Sequence, residues 1–319
     1  MRRRSVSLAA LVVFAAALVA PRSADAGWCW WWCDYTKTQY PIVLSHGFLG
    51  FDSAFGILDY WYGIESELED DGATVYVTEV SPVNSSQNRG EQLIAQLEEI
   101  RAIRGDPDLK FNLIGHSQGG IDIRYVAGVR PDLVASLTTV ASPHLGVDFV
   151  EQFGDLQGGV FEGLIGFVGG VVDLLWDLMG NDNPNDINAA FVAFDPATLA
   201  QFNADYPGGM PASYCGEGDA VTQTPAGPIR NYSWTGSRPM TNVFDVLDPL
   251  FGIMSLLYDE ANDGLVEVCG SHFGDVLKDS YRMNHLDEVN QMLGLVALFE
   301  TNPKSVFRTH ANRLKNAGL

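Results

Sequence analysis

Short apolar runs alternate with amphipathic stretches through the first half of the chain. YPIVLSH (40–46) and ATVYVTEV (73–80) read as strands, and RGEQLIAQLEEIRAIRG (89–105) reads as a helix with Leu93, Ile94, Leu97 and Ile100 on one face. KFNLIGHS (110–117) follows as a strand, GGIDIRYVAGV (119–129) as a helix and LVASLTTVASP (133–143) as a strand. Strand and helix in alternation imply an α/β protein, with a mostly parallel sheet covered by helices on both faces.

The pattern changes after residue 143. Residues 153–179 are nearly all apolar or glycine, with Asp155, Glu162, Asp173 and Asp177 as the only charges. A helical insertion at about 148–182 would lie above the carboxyl ends of the strands, where open α/β sheets bind ligands, and is expected to act as a lid. The charges argue against a membrane span. No repeat or linker divides residues 35–319, which read as one domain.

The first 26 residues open with three arginines at positions 2–4, continue with an apolar run over 8–20 and a fourth arginine, Arg22, and end in the small-residue triplet Ala24-Asp25-Ala26. Thirteen apolar residues fall short of the roughly 20 that a spanning helix needs, so the expectation is a signal peptide cleaved after Ala26 and a secreted protein. Removing it lowers Lys+Arg from 19 to 15 and Asp+Glu from 40 to 39, which takes the net charge from −21 to about −24. Such a surface repels phosphate backbones and anionic headgroups, which excludes nucleic acid as the expected partner. Four cysteines in an exported chain, with no C-x-x-C pair, favour disulfides over zinc. Cys29 and Cys33 lie in GWCWWWC, a Trp/Cys-rich extension covering 27–34, and could form a local bridge.

The candidate chemistry centres on Gly115-His116-Ser117-Gln118-Gly119. A G-x-S-x-G pentapeptide between a strand and a helix puts the serine on a sharp turn that exposes its hydroxyl. A serine hydroxyl needs a base, an acid to orient that base and donors for the oxyanion. With acid and then histidine following the serine in chain order, His272 and His285 remain as bases. His285 is preferred because NHLDEVNQMLG sets it just before an amphipathic, helix-like stretch. His144 comes too early, and His310 lies in a terminal helix where a packing or solvated role is expected. Asp263, in ANDGLVEV ahead of a strand-like run, is one candidate acid, and spacing leaves Asp245 and Asp248 open. The backbone N–H groups of Gln118 and of Phe48, in SHGFLGFD, are the expected oxyanion donors.

YPIVLSHGFLGFD, GHSQGG, CGEG, ANDGLVEVC, YRMNHLDEVNQ and HANRLKNAGL together resemble the secreted bacterial triacylglycerol lipases of the Pseudomonas and Burkholderia type, subfamilies I.1 and I.2, in order from about residue 35 to 319. The resemblance implies an α/β-hydrolase fold with a lid and hydrolysis of acylglycerols at lipid–water interfaces. It also implies a triad of Ser117, Asp263 and His285, an oxyanion hole at Phe48 and Gln118, and a disulfide between Cys215 and Cys269. One structural calcium is implied on Asp245, Asp287, Gln291 and the carbonyl of Leu295; oxygen donors of this kind suit a hard cation. A dedicated foldase in the periplasm is implied in the same way, with no stable membrane insertion. A carboxylesterase for soluble short esters would use the same residues without an apolar lid, and a non-enzymatic lipid-binding protein would be expected to lose one triad member.

Overall fold

In the computed structural model, which describes residues 34–50, 53–54, 58–147, 186–245 and 247–319, the apolar runs become the strands of one twisted sheet. Its strands are β1 (Ile42–Ser45), β2 (Val75–Thr78), β3 (Phe111–His116), β4 (Val134–Val140), β5 (Val221–Thr224), β6 (Gly227–Gly236) and β7 (Asp275–Tyr281). The order is β2-β1-β3-β4-β6, and β6 carries antiparallel β5 beside its first half and parallel β7 beside its second. Every other pairing is parallel. This is the mostly parallel α/β sheet expected from the alternation of elements, and it agrees with the α/β-hydrolase fold that the resemblance implies.

Alternate residues of the central strands feed two separate cores, as the two-residue period of a strand dictates. Ile42, Leu44 and Ile114 pack with Trp61, Ile64, Leu68 and Phe307 on one face. Val43, Leu113 and Leu137 pack with Leu93, Leu97, Ile123 and Val126 on the other. The first face is covered by α1 (Ile64–Glu69) and the C-terminal helix (Pro303–Asn316), the second by α2 (Ser86–Arg104) and α3 (Gln118–Val129). The helix α2 begins three residues before the stretch read as helical from Arg89, because the Ser85 side chain accepts from Asn88 N–H and caps it; Gly105, left-handed at φ 64°, ends it.

Two local expectations differ from the structure. The helix-like stretch after His285 is broken into a 3-10 turn (Asp287–Val289) and a four-residue helix (Gln291–Gly294). Asn284 Oδ1 accepts from the N–H groups of Leu286 and Asp287, and Asn290 adopts φ 58°, so the backbone cannot run on as one helix. The strand-like run after Asp263 is a tight loop closed by a single bridge between Asn262 and Glu267, turning at Gly264 with φ 102°. His310 is fully buried and packs, bonded to Thr138 Oγ1 at 2.8 Å. The signal segment 1–26, the extension 27–34 up to Cys33, and the expected lid at 148–182 lie outside the described residues.

Candidate active site

Strand β3 ends at His116 and helix α3 starts at Gln118, which leaves Ser117 in the turn between them. Its backbone stands at φ 55°, ψ −126°, a conformation that L-residues avoid unless the surroundings enforce it. Ser117 N–H donates to Val140 O at 2.9 Å, so the neighbouring strand holds the turn. The flanking glycines permit a close approach. A Cβ on Gly115 would lie 2.3 Å from Gly119 O, and one on Gly119 would lie 2.3 Å from Ser45 O. Only glycine lets the helix start press this closely on the strands.

The loop after β1 lies against the same turn, since a Cβ on Gly47 would meet Ser117 Cβ at 2.7 Å. Among the described residues, neither the Phe48 N–H nor the Gln118 N–H meets an acceptor. The Gln118 side chain is pinned elsewhere, donating to Asn84 O at 2.8 Å, so it is the backbone of this residue that is free. Arg89 braces the loop from below, donating to His46 O at 2.6 Å and Gly47 O at 3.3 Å while pairing with Asp122 of α3 at 2.7 Å. His46 accepts from Val80 N–H at 3.3 Å and donates from Nδ1 to Gly47 O at 2.9 Å. Burial, with Arg89 adding to it, lowers its pKa to about 3, so this ring is a neutral strut.

His285 and Asp263 come together on the opposite side. His285 Nδ1 donates to Asp263 Oδ2 at 2.7 Å, and His285 N–H donates to Asp263 O at 3.1 Å. Asp263 Oδ1 accepts from Leu265 and Val266 N–H at 2.8 and 2.7 Å, which fixes the carboxylate in the turn at Gly264. The His285 ring packs on the His116 ring with centroids 4.5 Å apart, directly beside the serine turn. The structure draws no hydrogen bond between Ser117 Oγ and His285; contacts of this kind are commonly loose without substrate and tighten in the reacting complex. This set combines a strained, nearly buried hydroxyl, an imidazole oriented by a carboxylate and two free N–H groups, the components of acyl transfer. His272, the alternative base, turns Nδ1 to Gly216 O at 3.0 Å and faces Asp279 at 3.3 Å. The alternative acids Asp245 and Asp248 bond elsewhere, as described below.

The sequence assigns no role to three buried residues of this site, Tyr60, His116 and Glu288, although His116 lies within GHSQGG and Glu288 within YRMNHLDEVNQ. Tyr60 Oη accepts from Gly47 N–H at 2.9 Å and bonds His116 Nδ1 at 2.6 Å. Glu288 Oε2 lies 3.8 Å from His116 Nε2, and burial, with Asp263 adding to it, pushes this carboxyl well above the ordinary range. Their partners lie far away along the chain, where periodicity carries no information.

Of the residues implied as cation ligands, Asp245 and Asp287 act electrostatically on each other and on Asp248. Asp248 is consumed by the protein: Oδ2 accepts from Thr241 and Asn242 N–H, both at 2.6 Å, and Oδ1 accepts from Asn284 Nδ2 at 2.8 Å. Asp245 accepts from Leu247 N–H on Oδ1 and leaves Oδ2 buried without a protein partner. Burial raises the Asp287 carboxyl to about 7, and the carboxylates of Asp245 and Asp248 add to the rise. An unpaired buried oxygen among clustered carboxylates fits a hard divalent cation. Gln291 is half-buried and Leu295 exposed, farther along the chain from Asp287. Cys215 and Cys269, 54 residues apart, are joined in a disulfide.

A family profile of the alpha/beta hydrolase fold matches residues 40–172. A triacylglycerol lipase of Vibrio cholerae is 48% identical over 290 residues, covering 89% of this chain and 90% of that protein. One from Burkholderia plantarii is 38% identical over 320 residues, covering 89% and 88%. Among solved structures, the mature form of a Bacillus licheniformis lipase superposes with a TM-score of 0.56 at 18% identity over 86% of this chain and 92% of that one. A metagenomic carboxyl esterase superposes with a TM-score of 0.59 at 18% identity over 87% and 76%. At such identities the superpositions speak for the fold alone.

Proposed function

This chain belongs to the bacterial triacylglycerol lipases, and we propose that it hydrolyses acylglycerol esters through an acyl-enzyme on Ser117. The observation that carries the reading is the 2.7 Å bond between His285 and Asp263 beside the strained Ser117 turn. Ser117 Oγ attacks the ester carbonyl carbon while His285 Nε2 takes its proton, and Asp263 stabilises the imidazolium from the Nδ1 side. The carbonyl oxygen becomes an oxyanion facing the Phe48 and Gln118 N–H groups. Collapse breaks the bond to the glycerol oxygen, which leaves with the proton from His285. Water then attacks the acyl-enzyme with His285 as base, and the fatty acid departs as Ser117 regains its proton.

Asp245 and Asp287, with Gln291 and the Leu295 carbonyl, would hold one calcium ion, whose charge would offset the carboxylates and steady the loop that carries His285. Exposed apolar side chains support work at a lipid surface. Val243 and Phe244 are 93% and 74% exposed, Leu298 and Phe299 65% and 101%, and Asn242 Nδ2 ties the two loops through Val296 O at 3.0 Å. Among the described residues no helix is long and apolar enough to cross a membrane. Export through the periplasm, with a dedicated foldase as a folding partner, completes the proposal; its support is the signal-like start and the family. The test is hydrolysis of emulsified triolein against dissolved p-nitrophenyl acetate. Activity confined to the soluble ester would favour a carboxylesterase, and none on either would favour a non-catalytic lipid binder.

A further inference from the structure

The oxyanion loop and the base lie on opposite sides of the serine turn, and one buried pair of side chains connects them. Tyr60 is 3% exposed and follows the short hairpin Ser53–Ala54/Leu58–Asp59, an element with no expected part in the chemistry. Its phenol oxygen accepts from Gly47 N–H at 2.9 Å, one residue before the expected oxyanion donor Phe48. The same oxygen bonds His116 Nδ1 at 2.6 Å, one residue before Ser117. The far side of the fully buried His116 ring packs on His285 at 4.5 Å. Gly47 is wedged in this arrangement, since a Cβ there would meet Ser117 Cβ at 2.7 Å and Tyr60 Oη at 3.0 Å. Trp61 backs the pair, its ring edge-on to both Tyr60 and His116.

We propose that Tyr60 and His116 are positioning residues that set the distance between the oxyanion donors and the catalytic imidazole. The proposal rests on the reading of Ser117 and His285 given above. Neither group touches the reacting atoms. Tyr60 fixes where the loop, and with it Phe48 N–H, stands over the serine, and the His116 ring is the spacer that keeps His285 at its working separation. Such a clamp acts on the transition state more than on substrate binding, because the oxyanion donors are aimed at charge that develops only there. Removing the phenol oxygen leaves two buried polar atoms, Gly47 N–H and His116 Nδ1, without their partner, and the loop is expected to relax to recover a bond.

The test is Tyr60→Phe, which keeps the ring, and His116→Phe, which keeps the contact with His285, singly and together, with Ser117→Ala alongside. For Tyr60→Phe a kcat reduced about 10- to 100-fold with KM within about twofold is expected, since a displaced oxyanion donor costs less than a deleted one. Affinity for a boronic acid that mimics the tetrahedral state should fall by a similar factor. The double variant should be no worse than the worse single one, as for two parts of one unit. A lowered melting temperature with wild-type kcat, or losses that multiply in the double variant, would overturn the clamp. Should Tyr60→Phe fold poorly, 3,5-difluorotyrosine at position 60 keeps both bonds but acidifies the phenol. A kcat–pH profile displaced from wild type supports the proposal, and a superimposable one counts against it. Activity remaining in Ser117→Ala would sink the underlying reading instead, so the two failures are distinguishable.

Discussion

Arg89 and Asp122 form an ion pair at 2.7 Å with both side chains wholly buried, joining the helix under the oxyanion loop to the helix that starts at the serine turn. The guanidinium also donates to the carbonyls of Ser81, His46 and Gly47. Burial raises the Asp122 carboxyl to about 6 even with Arg89 holding it down. Arg89→Met should therefore lower stability by about 3–5 kcal/mol, because it strands a buried carboxylate and three carbonyls. Urea unfolding checks this; a loss under about 1 kcal/mol would mean that the pair is not a brace.

Ser117→Ala should reduce kcat by about 10⁶ without unfolding the protein, and His285→Ala should do comparable damage. Asp263→Asn should be milder, because Asp263 orients and stabilises the imidazole but takes no proton from Ser117. Kinetics on the folded variants and mass spectrometry after phosphonate labelling check the assignment. Label on any residue other than Ser117 would refute it.

Four fully buried histidines should make the fold acid-sensitive. Burial lowers His46 and His310 to about 3, and His116 and His144 well below the ordinary 6.5. Each ring in the folded chain thus takes up its proton at lower pH than in the unfolded chain. Its contribution to stability is complete above about 6.5 and is lost as pH falls toward the folded value, by roughly 1 kcal/mol per pH unit per histidine. Denaturant unfolding between pH 7 and 4 should show stability falling steeply below pH 6, and His310→Gln should flatten the slope. A flat profile would contradict the neutral, buried state of these rings.

Calcium removal should act through the fold. An ion that binds the native state alone, at a hundredfold excess over its Kd, stabilises by about 3 kcal/mol. Excess EDTA should lower Tm and activity together, calcium should restore both, and Asp245→Asn should make the protein indifferent to either addition. Unchanged melting in EDTA would dismiss the ion.

Local order was legible in the sequence. The two-residue and 3.6-residue periods identify β1 to β4 and helices α2 and α3, and the glycines around Ser117 mark a turn that no bulkier residue allows. Those signals reside in neighbouring residues and survive without the fold. Where a stretch was read against its tertiary setting, as after His285 and after Asp263, packing and side-chain bonds to the backbone overrode the pattern. The bond from His285 to Asp263 spans 22 residues, that from Tyr60 to His116 spans 56, and that from Arg89 to Asp122 spans 33. Which partners meet over such spans is set by sheet register and by how helices seat on the two faces. The same is true of which aspartate of the Asp245/Asp248 pair keeps a free oxygen, because that depends on where the Thr241, Asn242 and Asn284 donors arrive once the chain has closed.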